Sequence, residues 1–246
     1  MKNYRPNVWL TDAANVNSYL SSAEVIVPQR NNSIKLLVDI FRYHFKKKEG
    51  LRLLDIGCGD GIVSDWIRRR YPNNNFFLLD GSSEMLEKAK ERLKGENITL
   101  MHQTFEGYVN PAFESDKFDF MYSANAIHHL DLPEKSKLYR KVFNELKPGG
   151  LFLNIDLVLP SSGISEIWQF NMWRDWMNET LYDKGFQKDI GKYDEVPCHY
   201  KNNEQNKPDS LFDQLKLLKR IGFQDVDCFY KFGVVAIFGG TKQGSC

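Results

Sequence analysis

The segment LLDIGCGDG, residues 53–61, combines acids with three glycines at every second position. An apolar run that ends in an acid and then in glycines predicts a strand turning tightly into a helix, where a ligand can approach the backbone. The triphosphate-binding pattern needs Gly-Lys-Ser or Gly-Lys-Thr, which is missing, and the dinucleotide pattern GxGxxG has a different spacing. Asp60 inside the turn would repel a pyrophosphate and favours a ligand with positive charge. The alternative is a tight turn that binds nothing.

A second group of chemically active residues lies in SANAIHHL, residues 123–130. Asn125, His128 and His129 carry groups that could take a proton from an acceptor or orient it. The alternative is that one histidine packs beneath a helix and the other caps a loop. No cluster of further ligands accompanies the pair, so we expect no metal site.

Alternating strands and helices must position these residues. Apolar runs predict strands at 51–56, 76–79, 98–102, 118–123 and 151–159. Apolar residues at helical spacing predict helices at 33–47, 62–70, 83–93 and from a cap at Asp131 to residue 146. The alternation is typical of a doubly wound α/β domain, which binds ligands at the carboxyl ends of its strands. Asp55, Asp80, Gln103 and the residues 123–125 should therefore meet at one edge of the sheet.

The pattern changes after Pro160. Residues 165–181 predict a helix rich in aromatic side chains, residues 197–210 a loop, and residues 210–221 a second helix that ends at Gly222. The segment DVDCFYKFGVVAIFGGTK predicts an antiparallel pair of strands that turns near residues 231–233.

These segments together resemble the class I S-adenosylmethionine-dependent methyltransferases. LLDIGCGDG is similar to the first motif of that family, and the likeness continues through LLDGSSEMLEKAKERL, FDFMYSANAIHHL and LKPGGLFLNID, over about residues 50–160. The ending GFQDVDCFYKFGVVAIFGG resembles the reversed hairpin of the same family. The resemblance implies a Rossmann-like, seven-stranded, mostly parallel α/β sheet with helices on both faces, a C-terminal antiparallel hairpin and a helical lid insertion.

The resemblance also implies S-adenosyl-L-methionine as the cofactor. Asp80 would accept hydrogen bonds from the ribose hydroxyls, unless it only caps the next helix. Asp55 would hold the ammonium group, and Gln103 or Thr104 would contact the adenine, although the family usually has an acid there. The cofactor-binding residues implied in this way are Asp55, Gly57, Cys58, Gly59, Asp80, Gly81, Ser82, Met85, Gln103, Thr104, Phe105, Ser123, Ala124, Tyr19 and Arg30.

The activity implied by the resemblance is methyl transfer by in-line displacement to a small-molecule acceptor. Such transfer depends on positioning and exclusion of water, and the family has no universal catalytic residue. We expect Asn125, His128 and His129 to be the catalytic candidates.

The predicted organisation is an N-terminal lid segment over residues 1–32, which contains Tyr4 and Trp9, followed by a methyltransferase domain over 33–246. An insertion at 160–208 is predicted to form a substrate lid. The predicted substrate-binding residues are Trp168, Trp173, Arg174 and Trp176. Alternatively, the tryptophans form part of the core or the surface of a homodimer.

The composition limits the partners. A net charge of +1 over 246 residues gives no general attraction to nucleic acid or to a membrane. The four cysteines have no CxxC spacing, and no segment has the length of a membrane span, so we expect a cytoplasmic protein. The main alternative is a tRNA-modification enzyme, either a tRNA methyltransferase or a relative of carboxy-S-adenosylmethionine synthase. A binding module without catalysis is the third reading.

Overall fold

A computed structural model describes residues 13–46, 48–112 and 116–244, which contain a seven-stranded sheet in the order β3-β2-β1-β4-β5-β7-β6. The strands are β1 Arg52–Ile56, β2 Asn75–Asp80, β3 Ile98–His102, β4 Phe118–Ala124, β5 Leu146–Leu157, β6 Gln224–Phe232 and β7 Val235–Thr241. The helices are α1 Ala13–Ile26, α2 Arg30–Phe45, α3 Ile62–Arg68, α4 Ser83–Arg92, α5 Phe105–Val109, α6 Leu132–Glu145, α7 Gly163–Asp183, α8 Val196–Asn202 and α9 Leu211–Ile221. Short 3-10 turns cover Ile127–His129 and Gln187–Asp189.

The first five strands run parallel, and β7 pairs antiparallel with both β5 and β6. The predicted Rossmann-like sheet with a reversed C-terminal hairpin is therefore confirmed. The chain proceeds from β1 outward through β2 to β3, then returns to place β4 on the other side of β1. This reversal opens a crevice beyond the carboxyl ends of β1 and β4, where open α/β sheets bind their ligands.

Two apolar clusters hold the helices on opposite faces of the sheet. Leu53 packs in the cluster that contains residues of α2, α3, α4 and α7, whereas its neighbour Leu54 packs with residues of α5, α6 and α9. Successive strand side chains point to opposite faces, so a continuous apolar run supplies both clusters. Both leucines are fully buried, which fixes the register of β1 and hence the position of the turn that follows it.

Local signals set the helix ends. Asp131 and Glu134 form a reciprocal capping box at the start of α6, with a proline in its first turn, as predicted. Ser210 caps α9, whose other end lies at Gly222. The start of α6 places the preceding 3-10 turn, Ile127–His129, called the His128 turn, at the carboxyl edge of β4.

Two elements differ from the prediction. Residues 197–210 were expected to form a loop, but α8 occupies their first part, and Pro197 stands in its first turn. Strand β5 begins at Leu146 instead of residue 151: Leu146 pairs with Phe118, and the register then shifts so that Leu151 pairs with Phe120. The Pro-Gly-Gly segment is accommodated as an irregularity of the strand and not as a separate turn.

The lid predicted over residues 1–32 begins outside the described residues, where Tyr4 and Trp9 lie; its described part is α1 and the turn into α2. No helix in the described ranges has both the length and the apolar composition to cross a membrane.

Candidate active site

A cavity of about 530 Å³ lies at the carboxyl edge of the sheet and extends from the glycine turn to α8. It is lined by all of the predicted cofactor residues except Ser123: Tyr19, Arg30, Asp55, Gly57, Cys58, Gly59, Asp80, Gly81, Ser82, Met85, Gln103, Thr104, Phe105 and Ala124. The hydroxyl of Ser123 is buried and donates to the carbonyl of Ile56, so this residue ties β4 to β1 and does not line the cavity.

Asp80 organises the glycine turn from the end of the neighbouring strand. Its Oδ2 accepts from the backbone N–H of Gly59 at 2.8 Å, and its Oδ1 accepts from that of Ser82 at 2.9 Å. Ser82, and not Asp80, caps α4, since its hydroxyl accepts from the N–H of Met85 at 3.3 Å. Burial raises the pKa of the Asp80 carboxyl above its usual range. Each oxygen has a second lone pair available for a ligand.

Two positions of the turn favour glycine for different physical reasons. A Cβ on Gly57 would lie 2.5 Å from the Cβ of Ala126, so this position allows the exit of β4 to pack closely. At Gly59 the nearest atom to such a Cβ would be the sulfur of Met85, at 4.0 Å, so the space beside it is open toward the cavity. The φ angle of +54° at Gly59 also favours glycine. A ligand can therefore approach the backbone at Gly59.

Asp55 lies buried behind the turn. Its Oδ2 accepts from the Ser64 hydroxyl at 2.7 Å, and that hydroxyl also lies 2.7 Å from the Tyr122 oxygen. Burial, with Asp80 and Asp60 nearby, raises the pKa of the Asp55 carboxyl to about 7. The site therefore contains an acid that becomes fully charged only above neutral pH, or when a cation binds beside it.

We expect the buried charge of Asp55 to lower stability as pH rises. Its folded pKa of about 7 exceeds its unfolded value of 3.8, so the stability falls as pH rises from about 4 to about 7 and changes little above that. Each pKa unit is worth about 1.4 kcal/mol, so Asp55 lowers the free energy of unfolding by at most roughly 4 kcal/mol. In thermal unfolding without ligand, Asp55→Asn should be more stable than the wild type at about pH 7.5 and similar to it at about pH 4. An equal difference at the two pH values would contradict this.

The sequence suggested that Asp60 faces the ligand as a free acid, and the structure corrects this. Asp60 lines the cavity, but its Oδ2 forms an ion pair with the Arg92 guanidinium, and its carbonyl accepts from Arg92 Nε at 2.9 Å. Arg92 is on α4, and this pairing depends on the packing of α4 against the turn. The charge of Asp60 is therefore balanced within the protein.

Cations at the cavity are few among the described residues. The ammonium group of Lys207 pairs with Glu134 at 3.0 Å, whereas no carboxylate in the described ranges forms an ion pair with Arg30. Arg30 opens α2 close to Tyr19, which also lines the cavity. The Arg30 guanidinium is thus available to an anionic group of a ligand.

The segment after β3 supplies a further wall. The Thr104 hydroxyl caps α5 by accepting from the N–H of Gly107 at 3.1 Å. The Phe105 ring packs against Gly57, where an added Cβ would lie 3.3 Å from it. Of the two polar side chains predicted to contact an adenine, Thr104 is thus used by the helix, and Gln103 remains the better candidate.

The two histidines have different partners. His128 is buried, and its Nδ1 lies 2.6 Å from Oδ1 of Asp156, which also accepts from the N–H of Leu157 at 2.9 Å. The Nδ1 of His129 donates to the carbonyl of Gln205 at 3.0 Å, and burial lowers the pKa of His129 to about 3. His129 is therefore neutral near pH 7. In the neutral ring, Nδ1 of His128 donates to the Asp156 carboxylate, which leaves Nε2 as a proton acceptor.

Sequence reasoning missed Asp156. The residue lies at the end of β5 in the segment LFLNIDLVL, where an acid in an otherwise apolar buried strand was an available signal. Its pairing with His128 depends on the register of β4 and β5, in which Ala124 lies opposite Ile155. Asn125 follows Ala124 with a φ angle of +53°, and its buried side-chain oxygen has no hydrogen-bond partner.

The helix α7 brings one of the four predicted substrate residues to the cavity. Trp173 lines it and donates from its ring nitrogen to the carbonyl of Ile26 at 2.7 Å, which joins α7 to the end of α1. Trp168, Arg174 and Trp176 do not line the cavity. Trp168 lies five residues earlier, about 140° around the helix, and is 64% exposed.

The other two residues have partners elsewhere. Arg174 donates to the carbonyl of Asp194 at 2.8 Å and lies 3.3 Å from the sulfur of Cys198. Trp176 packs edge-on against Phe232. Apolar side chains are spread around most of α7, so the sequence could not show which of them face inward.

Trp173→Ala is expected to destabilise the fold by about 3 kcal/mol, because a large side chain only 4% exposed would leave a cavity. Trp168→Ala is the matched control and should change stability by less than about 0.5 kcal/mol. Urea unfolding of the two variants measures the difference. Equal destabilisation would contradict the placement of these two side chains.

The helix α8 and the residues after it supply a further part of the cavity wall. Tyr200, Asn203, Asn206 and Lys207 line the cavity, although the sequence predicted this segment as a loop. Pro197, early in the segment, was the available signal for a helix start. No group of three or more potential metal ligands occurs among the described residues.

Comparison with known proteins supports the identification of the fold and the domain. Residues 53–150 match the model of a family described as methyltransferase domain. The 2-methyl-6-phytyl-1,4-hydroquinone methyltransferase 1 of Oryza sativa subsp. japonica is 30% identical over 139 residues, which are 56% of this chain and 40% of that protein. The chain spans about two fifths of the length of the first curated relatives it matches.

Two solved structures share the fold. An O-methyltransferase family protein from Burkholderia thailandensis has a TM-score of 0.66 at 13% identity, covering 100% of this chain and 66% of that chain. The Haemonchus contortus phosphoethanolamine N-methyltransferase 2, in complex with phosphomonomethylethanolamine and S-adenosylhomocysteine, has a TM-score of 0.59 at 21% identity, covering 87% and 43%. Together with the sheet order, these findings show a match to a methyltransferase domain over residues 53–150 and the fold of these methyltransferases, and they support the resemblance to the class I S-adenosylmethionine-dependent family.

Proposed function

We propose that this protein transfers a methyl group from S-adenosylmethionine to a small-molecule acceptor, with His128 as the base. One observation carries the proposal: a carboxylate fixed on the glycine turn and a buried His–Asp pair line the same cavity. In this proposal Asp80 binds the ribose and His128 takes the proton. The resemblance to the family alone would support the first role and not the second.

The residues present fit the cofactor. Asp80 would accept from the ribose hydroxyls with its remaining lone pairs, and the open space beside Gly59 would admit the methionine part. Asp55 would bind the ammonium group, directly or through water, and Arg30 the carboxylate. Gln103 and Phe105 would flank the adenine. When bound, the cofactor supplies an electrophilic methyl group on a sulfonium.

The protein's own contribution is to position the acceptor and remove its proton. Nε2 of His128 would accept the proton from the nucleophilic group, and Asp156 would stabilise the imidazolium that forms. His129 is neutral near pH 7, so it would line the cavity as a polar side chain and would not serve as an acid. Trp173 and Tyr200 close the cavity on the side of α7 and α8, which excludes water from the reacting groups.

The enclosed site favours a small acceptor. The cavity has a volume typical of sites for small ligands, and its acceptor end is enclosed by α7, α8 and the His128 turn. The net charge of +1 gives the protein no general attraction to a polyanion such as tRNA.

Methyl-labelled S-adenosylmethionine, incubated with the protein and either a metabolite extract or bulk tRNA, tests the proposal. We expect label in a small molecule, and no transfer with heat-inactivated protein. Label in the tRNA would support the RNA-modification alternative. Binding of the cofactor without any transfer would support the binding-module alternative.

A further inference from the structure

Two buried polar atoms at the acceptor end of the cavity have no partner in the protein. The side-chain oxygen of Asn125 and the hydroxyl of Tyr200 are each shielded from solvent, and neither makes a hydrogen bond. Both residues line the cavity. A buried polar group without a partner is costly, so such atoms point to a ligand that completes them.

The two residues come from different elements and line the same cavity as the His–Asp pair. Asn125 is three residues before His128, in a left-handed conformation that the exit of β4 imposes. The Tyr200 ring comes from α8 and packs edge-on against His128, with ring centroids 5.5 Å apart, and against Trp173 at 5.6 Å. The proposed base thus shares the cavity with two groups that can form hydrogen bonds with a ligand.

Little unpaired charge is available to an acceptor at this end of the cavity. As the proposed base, His128 is neutral before the reaction and donates from Nδ1 to Asp156, and Lys207 pairs with Glu134. Arg30, the cation without an ion pair among the described cavity residues, is assigned to the cofactor carboxylate. An anionic acceptor would therefore be buried without a counter-ion, and a cationic acceptor would oppose the positive charge that forms on His128 during the reaction.

We propose that Asn125 and Tyr200 anchor the acceptor, and that they select an uncharged small molecule whose nucleophile is a hydroxyl group. This inference rests on the proposed methyl transfer. A carboxylate or phosphate would need no base, and an ammonium group would place a charge beside His128. The Tyr200 hydroxyl can donate to the oxygen of the acceptor's hydroxyl group, whose proton faces Nε2 of His128, and the Asn125 oxygen can accept from a second donor of the same molecule. In the reaction the proton of the acceptor's hydroxyl group passes to Nε2 of His128, and the oxygen of that group bonds to the methyl carbon while the carbon–sulfur electron pair stays with the sulfur.

Burial raises the pKa of the Tyr200 phenol well above its usual range, so the hydroxyl keeps its proton and can donate it to a ligand. This hydroxyl contributes no internal hydrogen bond, in contrast to that of Tyr139, which donates to Gln214 at 2.8 Å in the core. A comparison of Tyr200→Phe with Tyr139→Phe therefore distinguishes a hydroxyl that binds a ligand from a hydroxyl that stabilises the fold.

The first test is thermal unfolding of the ligand-free full chain. Tyr200→Phe should leave the melting temperature unchanged or raise it, because no hydrogen bond is lost. Tyr139→Phe should lower it by several degrees, because Gln214 loses its buried donor. A decrease for Tyr200→Phe as large as that for Tyr139→Phe would assign the Tyr200 hydroxyl to structure and overturn the proposal.

The second test uses the labelled product formed from a metabolite extract. We expect a product that neither cation nor anion exchangers retain, and whose methyl group gives a methoxy resonance. Tyr200→Phe and Asn125→Ala should each raise the acceptor KM about tenfold, with the cofactor Kd within about twofold of the wild type. Tyr182→Phe, an exposed change on α7, is the control and should behave as the wild type.

The outcomes separate the two proposals. A charged product, or a methyl group on nitrogen, sulfur or carbon, would overturn the hydroxyl assignment and leave methyl transfer intact. An acceptor KM unchanged in both variants would overturn the anchoring role. No labelled product from the wild type, with cofactor binding intact, would contradict the proposed function and this inference together.

Discussion

Asp80→Asn is expected to weaken binding of S-adenosylmethionine at least about a hundredfold, since two charge-assisted hydrogen bonds to the ribose would be lost or weakened. The substitution keeps the size of the side chain and one acceptor oxygen. It can therefore still accept from either Gly59 or Ser82, and the turn should stay folded. Titration calorimetry measures the effect, and thermal unfolding confirms that the variant is intact.

The matched control for Asp80 is Asp65→Asn. Asp65 is also buried, but it pairs with Arg69 at the end of α3 and is absent from the residues that line the cavity. Its substitution should leave the cofactor Kd within about threefold of the wild type, because distant sites act independently. His129→Ala, which changes a cavity residue not assigned to the cofactor, should likewise have a small effect. A loss of affinity in these controls equal to that in Asp80→Asn would mean that the ribose site is assigned wrongly.

His128→Ala is expected to reduce the turnover number by about a hundredfold to ten-thousandfold, the range that a positioned base contributes. Asp156→Asn should reduce it by at least about a hundredfold, because an amide does not stabilise the imidazolium and does not hold the same tautomer. Both variants should retain the cofactor Kd within about threefold, since neither residue is assigned to the cofactor. Single-turnover measurement of methyl transfer with saturating cofactor separates the chemical step from binding.

His129→Gln is the control for the neighbouring histidine. It removes the ring whose pKa is about 3 while keeping a group that can donate to Gln205, so turnover should fall by less than about tenfold. If His129→Gln slowed the reaction more than His128→Ala, the assignment of His128 as the base would be wrong. Turnover unchanged in His128→Ala would mean that the acceptor arrives already deprotonated.

The positions of residues that depend only on the local sequence could be predicted. Asp55 and Asp80 each end an apolar strand, and parallel strands place their carboxyl ends at one edge, so their common cavity follows from the strand pattern. The capping box at Asp131 was likewise readable because both partners are three residues apart. These predictions required no knowledge of packing between distant elements.

Pairings between distant elements could not be predicted. The contact between His128 and Asp156 spans 28 residues and depends on the register of two strands. The ion pair of Asp60 with Arg92 depends on how α4 packs against the turn. The composition of α7 does not reveal its rotation, so Trp168 and Trp173 were given the same role although one is exposed and the other is buried.

Direct binding of the cofactor tests the central claim most directly. Titration calorimetry of the purified full chain with S-adenosylmethionine, and separately with S-adenosylhomocysteine, should show saturable binding of one molecule per chain. Asp80→Asn should reduce the affinity for both. No binding of either compound at millimolar concentration, in protein that unfolds cooperatively, would contradict the assignment of this cavity as the site of methyl transfer.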